Sequence, residues 1–356
     1  MSSGRVWFSV PISSCGPQRP QFLYFSAALR RSSRVSLRAV MGRHPGKAKR
    51  LAYQAAAIAV ALGVAWFFVS NTIANLEERK IASGFGFLGR EAGFEIGESF
   101  FLRYGAADSY GRALLVGLTN TLAVALIGIV LATCLGTAIG LARLARNFLL
   151  RSFAAAYVEF MRNVPLLVQL FFWYAVVTEG MPGPREALSP LPGVFLSNRG
   201  IFFPTLSSVP ELQGFNFVGG MVLTPEFAAL LIGLATYTAA FIAEIVRAGI
   251  LAVDRGQGEA AHALGLSRPQ TMRLVVLPQA LRVIVPPMTS QYLNLTKNSS
   301  LAVAIGYPDL VSIANTSMNQ TGQAIEGIAI IMAVYLTISL SISAFMNWYN
   351  AHVAFK

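Results

Sequence analysis

Five ionisable side chains lie inside or at the ends of long apolar runs: Glu159, Arg162, Glu244, Arg247 and Lys297. An ionisable group in a membrane is costly, so each marks a functional candidate. Glu159/Arg162 and Glu244/Arg247 are i,i+3 pairs with the acid first, and each pair therefore shares a helix face. Two readings fit such pairs. Either they anchor helix ends as interfacial salt pairs, or they form a gate or an inter-subunit contact. Lys297 sits in Asn294-Leu-Thr-Lys-Asn298-Ser-Ser300, a polar patch between apolar segments. A polar break at mid-membrane depth lines a translocation path, whereas a lysine at the outer end of a span snorkels. Tyr237, with Thr236, Thr238 and Asn163, is a further candidate for the path, although such residues also serve helix packing. Catalysis would need a clustered constellation, and none is present. His44, His262 and His352 are scattered, and nothing resembles H-E-x-x-H or G-x-S-x-G. Cys15 and Cys134 lie far apart, so neither a disulfide nor a metal site follows, and Cys134 is expected to act as a small apolar residue in a helix interface. No cofactor is expected.

The elements that must hold these groups are membrane spans. Of 356 residues, 54% are hydrophobic and 12% charged, against roughly 25% charged in soluble domains. Charge-free runs cover 51–76, 113–142, 163–178, 227–243, 283–296 and 327–355. A bilayer core takes about 20 apolar residues per helix. The long runs span outright, and 163–178 and 227–243 span once flanking residues are included. The run 283–296 contains Pro286-Pro287 and reads as a broken helix, tolerable only when buried in protein or lining a cavity. The expected fold is all-α and polytopic. About six spans fall at 51–70, 113–141, 155–178, 225–247, 280–300 and 327–349.

Charge orients the spans. Residues 1–50 hold ten Lys/Arg and no acid, and 142–152 holds Arg143, Arg146 and Arg151 with no acid. Segment 71–112 carries five basic residues against six acids, and 178–224 carries two against three. Both termini are therefore expected on the cytoplasmic side, together with 248–279. The net charge of +12 belongs mostly to the first fifty residues. Beside a span it is an orienting charge, which excludes nucleic acid as the expected partner. The expected organisation is a basic, disordered tail over 1–50, a first span with a periplasmic loop over 51–112, and a permease core over 113–350. Three readings of the Ser/Arg-rich segment 1–40 stay open: a start of translation at Met41, a disordered positive flank, or a transit peptide.

The stretch Glu259–Pro278, EAAHALGLSRPQTMRLVVLP, is charged and helix-forming between apolar segments. Gly256 and Gly258 break the preceding helix. Glu259 then opens a short helix of good formers, and Gly265 stands where a C-cap would be. Ser267 and Gln270 match a capping box for a second helix through Val276, which Pro278 ends by disfavouring helical geometry at Leu277. The product is a helix–turn–helix knob. Ala260, Ala261 and Ala263 present a small surface suited to entering a groove. The competing reading is an interfacial elbow without a partner.

Four blocks stand in order: Tyr157-Val-Glu-Phe-Met-Arg162-Asn-Val-Pro165-Leu-Leu-Val-Gln169-Leu-Phe-Phe-Trp173-Tyr174, Tyr237-Thr-Ala-Ala-Phe-Ile-Ala-Glu244-Ile-Val-Arg247, the Glu259–Pro278 loop, and Lys297-Asn-Ser-Ser-Leu-Ala-Val-Ala-Ile-Gly306. Over residues 50–356 this order resembles the permease subunits of polar amino-acid ABC importers. It is most similar to the Q-type subunit of the general L-amino-acid importer, through Ile81-Ala-Ser-Gly-Phe-Gly-Phe-Leu88 and Tyr110-Gly-Arg-Ala-Leu-Leu-Val-Gly117. The resemblance implies a type I importer core in a bacterial inner membrane. Its implied partners are two copies of an ATPase, a second homologous permease subunit and a periplasmic amino-acid-binding protein. It places ATPase coupling at Glu259, Ala260, Ala261, Gly265, Leu277 and Pro278. Many members have Lys-Asp where this chain has Lys297-Asn298, so a Lys–Asp pair is missing. The P-loop pattern is absent, so hydrolysis is expected from a partner, and the chain itself is not expected to be an enzyme. The rival is an ion-gradient-driven secondary transporter, which should show a repeated half with two interrupted spans. Only one interrupted span is visible.

Overall fold

The computed structural model describes residues 45–78, 83–99, 101–206 and 208–353. Segment 1–40 and Met41 lie outside the described residues. The chain divides into two units, one ending at Ala74 and one beginning at Asn75. The described residues of the first belong to helix α1, Pro45–Glu78, an apolar rod whose span-length part is Leu51–Thr72.

The second unit is built on α5, Pro225–Leu251. Thr224 caps it, its hydroxyl accepting from the Phe227 N–H at 3.2 Å, and Pro225 opens the first turn, where a missing N–H costs nothing. A helix that is apolar on all sides belongs in the interior. α5 accordingly packs against α2 (Tyr110–Ala142), α3 (Phe148–Asn163), α4 (Leu166–Thr178) and α8 (Leu277–Asn298). The α2–α5 approach is tight. A Cβ on Gly136 would stand 2.7 Å from Ile242, and one on Gly140 would stand 2.8 Å from the Ala243 carbonyl oxygen. Small residues allow backbones to pack this closely in membrane proteins. One core joins Val124, Leu170, Phe227, Leu230, Leu234 and Tyr307, and another joins Ala132, Ile242, Ile284, Met288, Leu295 and Met346. Two short helices, α6 (Arg255–Ala263) and α7 (Arg268–Thr271), fill the α5–α8 connection. α9 (Leu310–Thr321) and α10 (Ala324–Val353) complete the bundle.

Among the described residues, four helices are long and apolar enough to cross a membrane, and five if the bent pair α3/α4 counts as one span. α8, expected as a further span, has the length but carries Gln279, Arg282, Gln291, Asn294 and Lys297 and is less apolar. The expected break at Pro286-Pro287 does not occur, because α8 runs through both prolines. Ile284, Val285 and Met288 around them are each at most 6% exposed, so packing overrides the local cost of proline. The break falls instead inside the span expected at 155–178, where α3 and α4 meet at 108°. Pro165 forces Val164 into extended backbone, φ −90° and ψ 128°.

The all-α expectation holds for the bundle but not for the segment between α4 and α5. That segment folds as antiparallel strands β1 (Leu188–Leu191), β2 (Val194–Ser197), β3 (Gly200–Phe203), β4 (Glu211–Gln213), β5 (Asn216–Val218) and β6 (Met221–Leu223). One sheet has the order β1-β2-β3-β6 and the other pairs β4 with β5. Cys134 is exposed on α2 rather than held in a helix interface.

Candidate functional site

Tyr237, Phe241 and Glu244 fall at i, i+4 and i+7 on α5 and so share a face. The rings of Tyr237 and Phe241 lie 5.0 Å apart, and the Arg162 guanidinium of α3 stands 5.3 Å over Phe241. Phe241, which spacing did not single out, thus joins the predicted residues Arg162 and Tyr237. The ion pair expected between Glu159 and Arg162 does not form. Both are exposed; Glu159 accepts from the Asn163 amide at 3.1 Å, while Arg162 takes the aromatic face.

The Glu244/Arg247 pair does form, with Arg247 Nε donating to the carboxylate at 3.1 Å. It gains a third member. Arg143, just past the end of α2, also binds Glu244. All three side chains are partly buried, at 19–30% exposure. One carboxylate thus ties the ends of two helices through two cations. Lys297 stands apart. It is exposed in the last turn of α8, where a cation suits the helix dipole.

The α5–α8 connection forms the expected knob, with altered boundaries. α6 begins at Arg255, four residues before Glu259, because Asp254 caps it by accepting from the Gly256 N–H at 2.7 Å. Gly256 and Gly258 therefore lie within the helix rather than breaking the previous one. Gly265 has φ +84°. Its N–H donates to the His262 carbonyl at 2.9 Å, and the Leu266 N–H donates to the Ala261 carbonyl at 3.1 Å. These two bonds make a Schellman ending. Nothing lies within 4 Å of a Cβ built on Gly265, so backbone conformation alone selects glycine there. Gln270 Oε1 accepts from the Ser267 N–H at 2.9 Å, as a capping box requires. Pro278 does not end the second helix. α7 passes into a π turn, Met272–Val276, which continues into α8 with Pro278 in its first turn. The wider π turn absorbs the bond that the proline cannot make. Of the small surface expected, Ala261 turns inward at 3% exposure while Glu259, Ala260 and Ala263 face out. The exposed apolar residues are Leu264, at 84%, with Met272, Leu274 and Leu277.

At the opposite end of α5, residues 83–99 and 101–109 form a strap. It starts with a 3₁₀ turn, Phe85–Gly89, and folds back through Ala92 N–H to the Asp108 carbonyl at 2.8 Å and Gly93 N–H to the Ala106 carbonyl at 2.9 Å. Gln323 Nε2 donates to the Gly84 carbonyl at 3.0 Å, and Glu326 accepts from the Gly84 N–H. Further along, Asn120 Nδ2 donates to the carbonyls of Glu98, at 2.8 Å, and Pro308, at 2.9 Å. The Glu98 carboxylate accepts from the Thr224 hydroxyl at 2.6 Å. Burial pushes the Glu98 carboxyl up to about 7. The Thr224 bond opposes this and Glu226 adds to it. A cleft of about 420 Å³ opens beside Glu98, with Glu95, Glu226, Ser312 and Thr316 on its walls. Nothing in the spacing of the loop acids marked Glu98.

Fold and site together define a helical membrane protein with a sharply bent helix pair, a central buried helix and a capped helical knob at one end of that helix. The family described as "Binding-protein-dependent transport system inner membrane component" matches residues 125–355, and the chain belongs to it. It is 47% identical to the putative amino-acid ABC transporter permease protein YhdX of Escherichia coli, over 85% of this chain and 93% of that protein. It is 42% identical to the general L-amino acid transport system permease protein AapQ of Rhizobium johnstonii, over 86% and 93%. Among solved structures it is similar to the one described as "Crystal structure of an amino acid ABC transporter with histidines", with a TM-score of 0.53 and 27% identity over 68% of this chain and 95% of that chain.

Proposed function

We propose that the chain is the transmembrane permease subunit of an ATP-driven importer that moves L-amino acids across the bacterial inner membrane. It works with two copies of a separate ATPase, a second homologous permease subunit and a periplasmic amino-acid-binding protein. Six spans put both termini and the 248–279 loop in the cytoplasm, with 51–112 as first span and periplasmic loop and 113–350 as permease core. The observation that carries this reading is the capped knob of α6, α7 and the π turn, where Leu264, Met272, Leu274 and Leu277 stay exposed and a water-facing loop would hide them. Such a surface suits a protein partner. The names of the relatives, which speak of amino acids, support the substrate class.

In this reading Glu259, Ala260, Ala261, Gly265, Leu277 and Pro278 form or support the coupling surface. When ATP draws the ATPase subunits together, α6 moves with them. α8 follows rigidly through the π turn, and α5 through the Asp254 cap. α5 is 27 residues long, about 40 Å at 1.5 Å per residue, so a rigid shift at the knob reaches the periplasmic end. The Arg162–Phe241–Tyr237 stack and the Arg143–Glu244–Arg247 triad then stand beside the path as its cytoplasmic gate, with Glu159 and Lys297 as flanking charges. The test is uptake of labelled amino acid into proteoliposomes holding all subunits. Uptake driven by ATP with ion gradients collapsed supports the reading. Uptake that needs a gradient and ignores ATP overturns it in favour of a secondary transporter.

A further inference from the structure

The strap at the periplasmic end holds a carboxylate that ordinary packing would avoid. Glu98 is a half-buried residue of the strap, and its Oε1 is buried with no hydrogen-bond partner. Among the described residues its other oxygen accepts only from Thr224, the residue that caps α5. Among the described residues no Lys or Arg lies within ion-pair distance of it. The groups that face it are acids or neutral. α5 contributes Thr224 and Glu226, and Glu226 in turn accepts from the Tyr174 hydroxyl of α4 at 3.2 Å. α2 contributes Asn120, and the segment before α9 contributes Tyr307, which feels the charges of Glu98 and Asp309. The strap itself adds Glu95 to the same cleft.

We propose that Glu98 is a proton-operated latch, closing the strap over the periplasmic end of α5 when protonated and releasing it when ionised. The geometry supplies both halves of the device. Closure buries a carboxyl beside another acid with no cation to balance it, which favours the protonated form. The same carboxyl is wired to the cap of the helix that runs to the knob, so a released strap frees that helix end. The strap also has a fixed hinge, because Gly84 stays held by Gln323 and Glu326. The sign follows from linkage. A group whose pKa rises on closure stabilises the closed form fully below its ordinary value of 4.5, and this stabilisation fades as pH rises through about 7. The periplasm is the compartment whose pH follows the surroundings, so the latch would tie transport to external acidity. The inference rests on the proposed orientation but not on the proposed ATP coupling.

The test uses the full-length chain in lipid nanodiscs, alone and with its partner subunits, without nucleotide. Cys15 and Cys134 are replaced by serine, and spin labels are attached through Gly97→Cys on the strap and Thr316→Cys on α9, which both line the cleft. A Cβ at Gly97 meets nothing within 4 Å. The separation should be short and narrowly distributed on the acid side of neutrality and longer on the alkaline side. Glu98→Gln, which has no proton to lose, should stay short at both. Thr224→Val removes the bond that opposes the upward shift and should move the midpoint to higher pH, while Thr224→Ser should leave it in place. A wild-type separation that ignores pH overturns the latch, as does a Glu98→Gln protein that titrates like wild type. Should Glu98→Gln fail to fold, a midpoint unmoved by Thr224→Val overturns it equally. The readout needs no ATP, so failure of the latch and failure of the importer reading are separate results.

Discussion

Arg143, the residue that ends α2, binds Glu244 of α5, and Glu244 also holds Arg247 one turn further along its own helix. The carboxylate is shared, so its loss leaves two cations side by side at a partly buried helix crossing. Glu244→Gln should lower thermal stability by about 1–3 kcal/mol, toward the lower end because each side chain keeps 19–30% of its exposure. Arg143→Ala and Arg247→Ala each leave the carboxylate one partner. Unfolding of both single variants and the double should therefore show the double losing more than the sum. Strict additivity would mean the two arginines act independently.

Gly249 on α5 faces Ile284 on α8. A Cβ added there would stand 2.3 Å from Ile284 Cγ1. Gly249→Ala should therefore cost about 1–3 kcal/mol by overpacking. The obstructing atom belongs to a side chain, so Ile284→Ala should restore much of the loss when combined with it. The thermal inactivation midpoint of the two singles and the double checks this. A double variant no better than Gly249→Ala would place the obstruction elsewhere.

Pro165 sets the 108° bend between α3 and α4. Pro165→Ala returns an N–H and lets Val164 adopt helical backbone, so the two helices can fuse. The bend also positions Gln169, whose amide donates to the Met161 and Val164 carbonyls at 3.0 Å. The variant should lose about 1 kcal/mol from the freer unfolded chain alone, and its uptake should fall further than its stability. Wild-type uptake at reduced stability would show that the bend is not needed for passage.

The long helices were legible because an apolar run of bilayer length leaves few other structures. The knob was legible because Gly265, Ser267 and Gln270 act through local backbone bonds, which neighbouring residues decide. Where tertiary packing decides, the reading failed. Pro286 and Pro287 look like a break in isolation, yet buried neighbours carry α8 through them, while the single Pro165 makes the real bend. Strands β1 to β6 are three or four residues each, too short for a period to register. Arg143 lies just outside its charge-free run and reads as an orienting charge, and only the α2–α5 crossing brings it to Glu244. Glu98 is one acid among several in its loop, and its burial depends on the distant residues Asn120 and Thr224.

The most direct test of the central claim is Gly265→Pro in the reconstituted complex, read by ATP-driven uptake and by co-purification of the ATPase. Gly265 stands at φ +84° and donates its N–H to His262. Proline fixes φ near −65° and has no N–H, so the ending of α6 must unravel while the spans stay intact. The account predicts that uptake and ATPase co-purification are both lost, with the chain still in the membrane. Undiminished uptake in the variant would contradict it and reduce the knob to an interfacial elbow.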